Sequence, residues 1–279
     1  MADTRTSAGK IPIFCINLDR RQDRWQEFTS QEGIRNLGSD AIKRWAAIDG
    51  NTINITSDER ISFRVKRNIS KKLRRAWEDI NSAGAIGCYL SHVGIWKWLV
   101  QSNTEVCIVM EDDCVVPPDF GEKIRQLWEE SAIINNKRYD LCILHRRCGV
   151  IATDDGKGGD EKLELLDTFH NTTAYIITRD CAKRLLEEVF PIQVHIDRMM
   201  LIYKSLFGLR IYRVKEDWLN ITSSGSVSDI NTDICHFCNI PSDFNRSLQR
   251  MSKIDFTAGR LAQIIAVVVF VSWIGGLAK

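Results

Sequence analysis

The apolar residues of this 279-residue chain arrive in short unbroken runs separated by helical patterns. That rhythm predicts an α/β protein with buried strands. The run that organises the rest is Val106-Cys107-Ile108-Val109-Met110, with three β-branched residues among its five. It reads as a strand covered on both faces, and it delivers Glu111, Asp112 and Asp113 at its carboxyl end, where open α/β sheets place their ligand crevices. Residues 11–18 (IPIFCINL) predict a second strand, followed by Asp19-Arg20-Arg21-Gln22-Asp23-Arg24 and a helix carrying Trp25 and Phe28. Residues 42–48 predict another, closed by the turn dipeptide Asp49-Gly50. The stretch from Gly84 to His92 opens a helix running to about Val100, on which Cys88, His92 and Trp96 share one face by i,i+4 spacing. Further strands are expected over 139–145, 173–178 and 210–214. Helices are expected over 120–134, after Pro117-Pro118, and over 180–189, with Asp180 as its N-cap. Residues 153–162 read as an exposed loop and 218–233 as a polar tail.

Composition bounds this picture. A chain of this length buries one full core, and one large domain over 11–245 is expected, preceded by a flexible, polar N-terminus over 1–10. The net charge of +2 argues against a dedicated nucleic-acid binder. Nine cysteines form no regular disulfide framework, so reduced, cytosolic thiols are the default. Cys235-x-x-Cys238 is a zinc half-site with no second pair to complete it. Five Asn-x-Ser/Thr sequons matter only if the domain enters a secretory compartment. The stretch from Leu261 to Ala278 is interrupted by only Gln263 and Ser272 and is flanked by Arg260 and Lys279. It reads as a C-terminal membrane anchor after a basic linker over 246–260, with the domain on the cytoplasmic side. A buried core helix is the competing explanation, given the marginal length and the Gly275-Gly276 pair.

The candidate chemistry centres on the three acids. Packed carboxylates repel, and hard ions such as Mn²⁺ or Mg²⁺ take one or two carboxylates plus substrate phosphates. Glu111 and Asp113 are the candidate ligands, straddling Asp112; a solvated acidic turn explains the three acids alone about equally well. Arginines after the first strand can meet phosphate or ribose, although on spacing alone they read as a charged first helical turn. Residues 60–75 carry eight basic side chains, either a solvated helix face or a loop guiding an anionic nucleotide or acceptor. His92, on spacing alone, reads as a packed helix histidine.

Taken together, INLDRRQDRW at 16–25, AIDG at 47–50, IGCYLSHVGIWK at 86–97, MEDD at 110–113, AYIITRDCAKRLL at 174–186 and SDI at 228–230 resemble glycosyltransferase family 25, the lipooligosaccharide and procollagen galactosyltransferase type. The resemblance covers residues 11 to about 245. It implies a GT-A-like (Rossmann-like) fold, with a mixed, mostly parallel sheet flanked by helices. It also implies a UDP-sugar donor, Mn²⁺, a glycan or glycoconjugate acceptor and inversion at the anomeric carbon. Glu111, Asp112 and Asp113 fall on the family's DxD-like motif for metal and diphosphate. Asn17 and Arg24 fall on its donor-side strand, and Cys88, Ser91 and His92 on a site-lining helix motif. Asp197 falls where the family has an aspartate before apolar residues. The family commonly carries an acid where this chain has Ala85, which bears on any shared role of that acid. An inverting transfer needs one base for the acceptor hydroxyl. Asp197 is the first candidate, with Asp229 or His92 behind it. A degenerate glycosyltransferase fold used as a scaffold, and a metal-dependent phosphohydrolase using the same acids, are the rival readings.

Overall fold

The structure, a computed structural model, describes residues 11–38, 40–73, 79–146, 149–151 and 160–224. The chain divides into two compact units, Met1–Thr232 and Asp233–Lys279, and every described residue belongs to the first. The apolar stretch 261–278, the basic segment 246–260, the Cys235/Cys238 pair, Asp229 and most of the 153–162 loop lie outside the described residues. Among the described residues no helix is long and apolar enough to cross a membrane.

In chain order the elements are β1 (Ile13–Asn17), α1 (Gln22–Ser30), α2 (Glu32–Arg35), β2 (Ile42–Ala46), α3 (Phe63–Ser70), α4 (Ala83–Gln101), β3 (Val106–Glu111), β4 (Cys114–Val115), α5 (Phe120–Glu130), α6 (Ala132–Asn135), β5 (Leu141–Ile143), β6 (Gly149–Ile151), β7 (Leu163–Phe169), β8 (Ala174–Thr178), α7 (Arg179–Glu187), α8 (Ile196–Phe207), β9 (Ile211–Val214) and β10 (Thr222–Ser223). Eight strands form one sheet in the order β2-β1-β3-β8-β5-β9-β7-β6, while β4 and β10 pair separately. Six of the eight run the same way and only β7 and β8 are reversed. Strand direction is therefore mostly parallel, as expected, although antiparallel pairings flank both reversed strands.

The unbroken apolar runs have the predicted cause. Along β3, Cys107 and Val109 pack on one face of the sheet with α4 and α7 residues, among them Trp96, Leu99 and Leu185. Ile108 and Met110 pack on the other with α1 and α5 residues such as Phe28, Phe120 and Leu127. The strand has no solvent face, so it has no polar alternation.

Two expectations need correction. The cap of α7 is Thr178, whose hydroxyl accepts from the Cys181 N–H at 3.2 Å. Thr178 is the last residue of an extended strand and already has the non-helical backbone a cap needs, whereas Asp180 sits in the first turn. The helix expected over 120–134 is two, because Ser131 turns extended (ψ 118°) and its hydroxyl then caps α6. The segment holding His195 and Asp197 is the start of α8, which Gly208 ends in the left-handed conformation (φ +64°).

Candidate functional site

Because β1 and β3 are parallel, with Ile16 opposite Glu111, their carboxyl ends finish side by side, and β2 ends next to them. The loops after all three strands and the first turns of α4 enclose a cleft with about 680 Å³ of empty space, open to solvent. Its lining includes Leu18, Arg20, Arg24, Asp49, Cys88, Ser91, His92 and all three acids of the turn.

Those acids diverge. Glu111 is the last residue of β3; its Oε1 accepts from the Thr172 hydroxyl at 2.7 Å and lies 3.4 Å from His92 Nε2. Asp112 turns the other way, accepting from Asn17 Nδ2 at 2.7 Å and from the Arg24 guanidinium at 3.1 Å. Asp113 accepts from the Ser223 hydroxyl at 2.7 Å through Oδ2, while its Oδ1 is buried with no hydrogen-bond partner. Burial and then the neighbouring Glu111 charge push the Asp113 carboxyl up to about 6. Burial also raises Asp112, against the lowering effect of Asn17 and Arg24. Burial opposes the charged form of Glu111 as well, but the adjacent His92 imidazole and the Thr172 hydroxyl hold it below the ordinary glutamate value.

Asn17 and Arg24 thus act on Asp112 directly. Asn17 is 1% exposed and fully engaged, also donating to the Arg21 carbonyl and accepting from Arg44 Nε. This is a structural clamp on the acidic turn, built from the end of β1 and the first turn of α1.

The opposite wall is α4, begun by Ser82, whose hydroxyl accepts from the Ala85 N–H. Two glycines let it approach the loop after β2 backbone to backbone. A Cβ on Gly50 would lie 1.7 Å from the Ala83 carbonyl oxygen, and one on Gly87 would lie 2.3 Å from the Ile48 carbonyl oxygen. Ser91 fastens the contact, accepting from the Ile48 N–H at 2.9 Å and donating to the Gly87 carbonyl at 2.7 Å. Ser91 is wholly buried in this role. The next residue, His92, is buried too, with Nδ1 2.9 Å from the Tyr175 hydroxyl, which also accepts from Trp96 Nε1 at 3.0 Å. Tyr175→Phe would leave a buried indole N–H and an imidazole nitrogen without that partner. The expected loss is about 2–4 kcal/mol of unfolding free energy, read by urea denaturation.

Asp197 lies at the N-terminal turn of α8 and accepts from the Asn171 N–H at 2.9 Å. Asn171 has a left-handed backbone (φ +66°) and precedes Thr172, the donor to Glu111. Asp197 is therefore joined to the acidic turn through two consecutive residues. The structure brings Asn17, Arg24, Cys88, Ser91, His92, Glu111, Asp112 and Asp113 together, with Asp197 behind the 171–172 turn. Thr172, Ser223 and Tyr175 are partners the sequence did not single out; a lone hydroxyl carries no motif.

Fold and site define the class: an α/β protein with its ligand crevice at the carboxyl ends of parallel strands. Residues 10–200 match the model of glycosyltransferase family 25, described as LPS biosynthesis protein, and the chain belongs to that family. The match holds every cleft-lining residue but ends before Ser223. Among similar proteins, a glycosyltransferase 25 family member of Aedes aegypti is 31% identical over 187 residues, covering 64% of this chain and 28% of the relative. Human procollagen galactosyltransferase 2 is 26% identical over 184 residues (62% and 27%). The mouse inactive glycosyltransferase 25 family member 3 is 25% identical over 179 residues (62% and 28%). The chain thus matches under a third of the length of these relatives, and relatives named as a galactosyltransferase and as an inactive family member both match it.

Proposed function

We propose that this protein transfers a hexose, galactose or glucose, from a UDP-sugar to a hydroxyl of a glycan, a lipid-linked glycan or a hydroxylated peptide, with inversion. The observation that carries the reading is Asp113, a buried carboxylate oxygen without a partner, next to a second carboxylate in a cleft at the strand ends. Such an oxygen suits a hard divalent cation, which completes its shell with phosphate oxygens. Asp113 would be the direct ligand of Mn²⁺ or Mg²⁺, and Glu111 would add charge beside it. Such an ion neutralises the charge that builds on a departing nucleoside diphosphate.

The chain's own residues do the rest. Asn17 and Arg24 fix Asp112, and with it the turn that presents Asp113. Ile16, Leu18 and Ile48 give the cleft an apolar lining suited to a base. Asp197 serves as general base, taking the acceptor hydroxyl proton as the oxygen attacks the anomeric carbon and the bond to the diphosphate breaks. Its link through Asn171 and Thr172 to Glu111 supports that role. His92 is less suited to it, because its imidazole is buried against Tyr175 and Glu111. Asp197→Asn is expected to lower transfer by about 10²–10⁴-fold while leaving UDP affinity nearly unchanged. Lost UDP binding would instead move Asp197 to the donor side.

The galactose and peptide-acceptor options draw on the human relative's name, and the lipid-linked option on the family description. The test is UDP release from a panel of UDP-sugars, with Mn²⁺ and with chelator. A second reading, a catalytically degenerate binding protein, draws on Ala85, which is buried in the core where the family commonly has an acid. Metal-dependent UDP binding with no turnover of any donor would favour it.

A further inference from the structure

We propose that Cys88, His92 and Glu111 form a site for one borderline transition-metal ion, of the Zn²⁺ or Co²⁺ type, beside and distinct from the hard-ion position at Asp113. Cys88 and His92 are one turn apart on α4, and Glu111 ends β3 opposite them. One ligand atom from each, a sulfur, an imidazole nitrogen and a carboxylate oxygen, lies within 4.8 Å of the other two. They are the one such group of three among the described residues.

Two further observations point to an ion. His92 Nε2 is fully buried, is aimed at this group and has no hydrogen-bond partner. Its 3.4 Å separation from Glu111 Oε1 is within ion-pair range, yet the pair forms no hydrogen bond. Two ligands at about 2.0–2.1 Å on a tetrahedral ion lie about 3.3–3.4 Å apart, which matches that separation. Thiolate and imidazole select Zn²⁺ or Co²⁺ over Mg²⁺ or Mn²⁺. Three protein ligands leave a fourth position for solvent or a ligand oxygen, the donor count of an open site. All three residues line the cleft, so the ion would adjoin whatever the cleft binds.

Protons balance as follows: the Cys88 thiol proton is released to buffer, and the imidazole proton resides on Nδ1, where the Tyr175 hydroxyl accepts it. Tyr175 thereby orients the ligand, as outer-shell groups on metal-bound histidines do.

The site does not depend on the transferase reading, and its test is direct binding. The full chain, stripped with chelator, is titrated with Co²⁺ and then with Zn²⁺. A thiolate-to-cobalt charge-transfer band at one equivalent, displaced by Zn²⁺, is expected. Cys88→Ser should abolish the band and weaken Zn²⁺ binding at least about 100-fold, and Tyr175→Phe should weaken it by about 10–100-fold. The band should survive in Cys235→Ser/Cys238→Ser and in Asp113→Ala. Absence of the band in the parent chain, or its persistence in a Cys88→Ser protein with an unchanged circular-dichroism spectrum, overturns the proposal. Failure of the transferase reading would appear instead as absent Mn²⁺-dependent UDP binding with the cobalt band intact.

Discussion

Asp113→Asn is expected to abolish metal-dependent UDP-sugar turnover, by about 10³-fold or more, and at the same time to stabilise the ligand-free protein. On the proposed reading, the loss follows from removing the charged ligand of an ion that would stabilise the departing diphosphate, an effect worth several kcal/mol. The gain follows from desolvation. Asp113 is pushed up to about 6 by burial and by Glu111, from an ordinary aspartate value near 3.8. Because the folded-state pKa is raised, the folded protein binds the proton more tightly than the unfolded chain does. The ionised carboxylate therefore costs stability above pH 6, on the order of 1–3 kcal/mol once residual solvent screening is allowed for. That cost is relieved as pH falls from 6 towards 4 and is constant below the unfolded value. Thermal melts of the chelated protein should show a rise in Tm, relative to the Asn variant, over that window. The Asn variant should already melt higher at pH 7. Equal melting of the two proteins at pH 7, or undiminished turnover in the variant, would sink this account of Asp113.

Gly50→Ala is expected to cost about 3 kcal/mol or more and to dismantle the cleft wall, despite an ordinary backbone conformation at that residue. Its new Cβ would meet the Ala83 carbonyl oxygen at 1.7 Å, and the obstacle is backbone, which has no rotamer to change. Gly87→Ala meets the loop after β2 from the other side, at 2.3 Å from the Ile48 carbonyl oxygen. Gly208→Ala is the control: its backbone is left-handed but a Cβ there meets nothing within 4 Å. Only the left-handed strain of about 1 kcal/mol is expected. Urea unfolding of the three variants should therefore separate Gly50 and Gly87 from Gly208 by about 2 kcal/mol. If all three lose the same amount, close packing of α4 on the loop is not what those glycines secure.

Both predictions rest on features that were partly readable in the chain. The strands β1 and β3 declare themselves because each is covered on both sides. α4 declares itself by its paired glycines and its length. What escaped has physical reasons. β7 is buried irregularly, with Glu164 and Asp167 among its apolar residues, so it shows neither an apolar run nor a clean alternation. The reversal of β8 is invisible in its composition, since an apolar run has no direction. Three adjacent acids suggest one shared ion, but successive side chains leaving a strand point apart. Thr172, Arg24 and Ser223 lie far away in sequence and draw each acid in its own direction. The placement of Cys88 and His92 on one helix face was legible; the carboxylate that meets them there was not.

The reversed strand β8 has a consequence for how such a domain diversifies. Because β8 runs against β3, the chain enters β8 at the same rim where β3 leaves, and Asn171 and Thr172 stand at that entrance. The lining of the cleft comes from an early stretch, ending at Asp113, and a late one, from Asn171 to Asp197, borders it. The two stretches pair along β3 and β8, and at the rim the Thr172 hydroxyl donates to Glu111. A chimera exchanging the late stretch for that of a relative would replace Asp197 and its surroundings while keeping the clamp of Asn17 and Arg24 on Asp112. On the proposed reading, such a chimera would change the acceptor side while leaving the donor pocket in place.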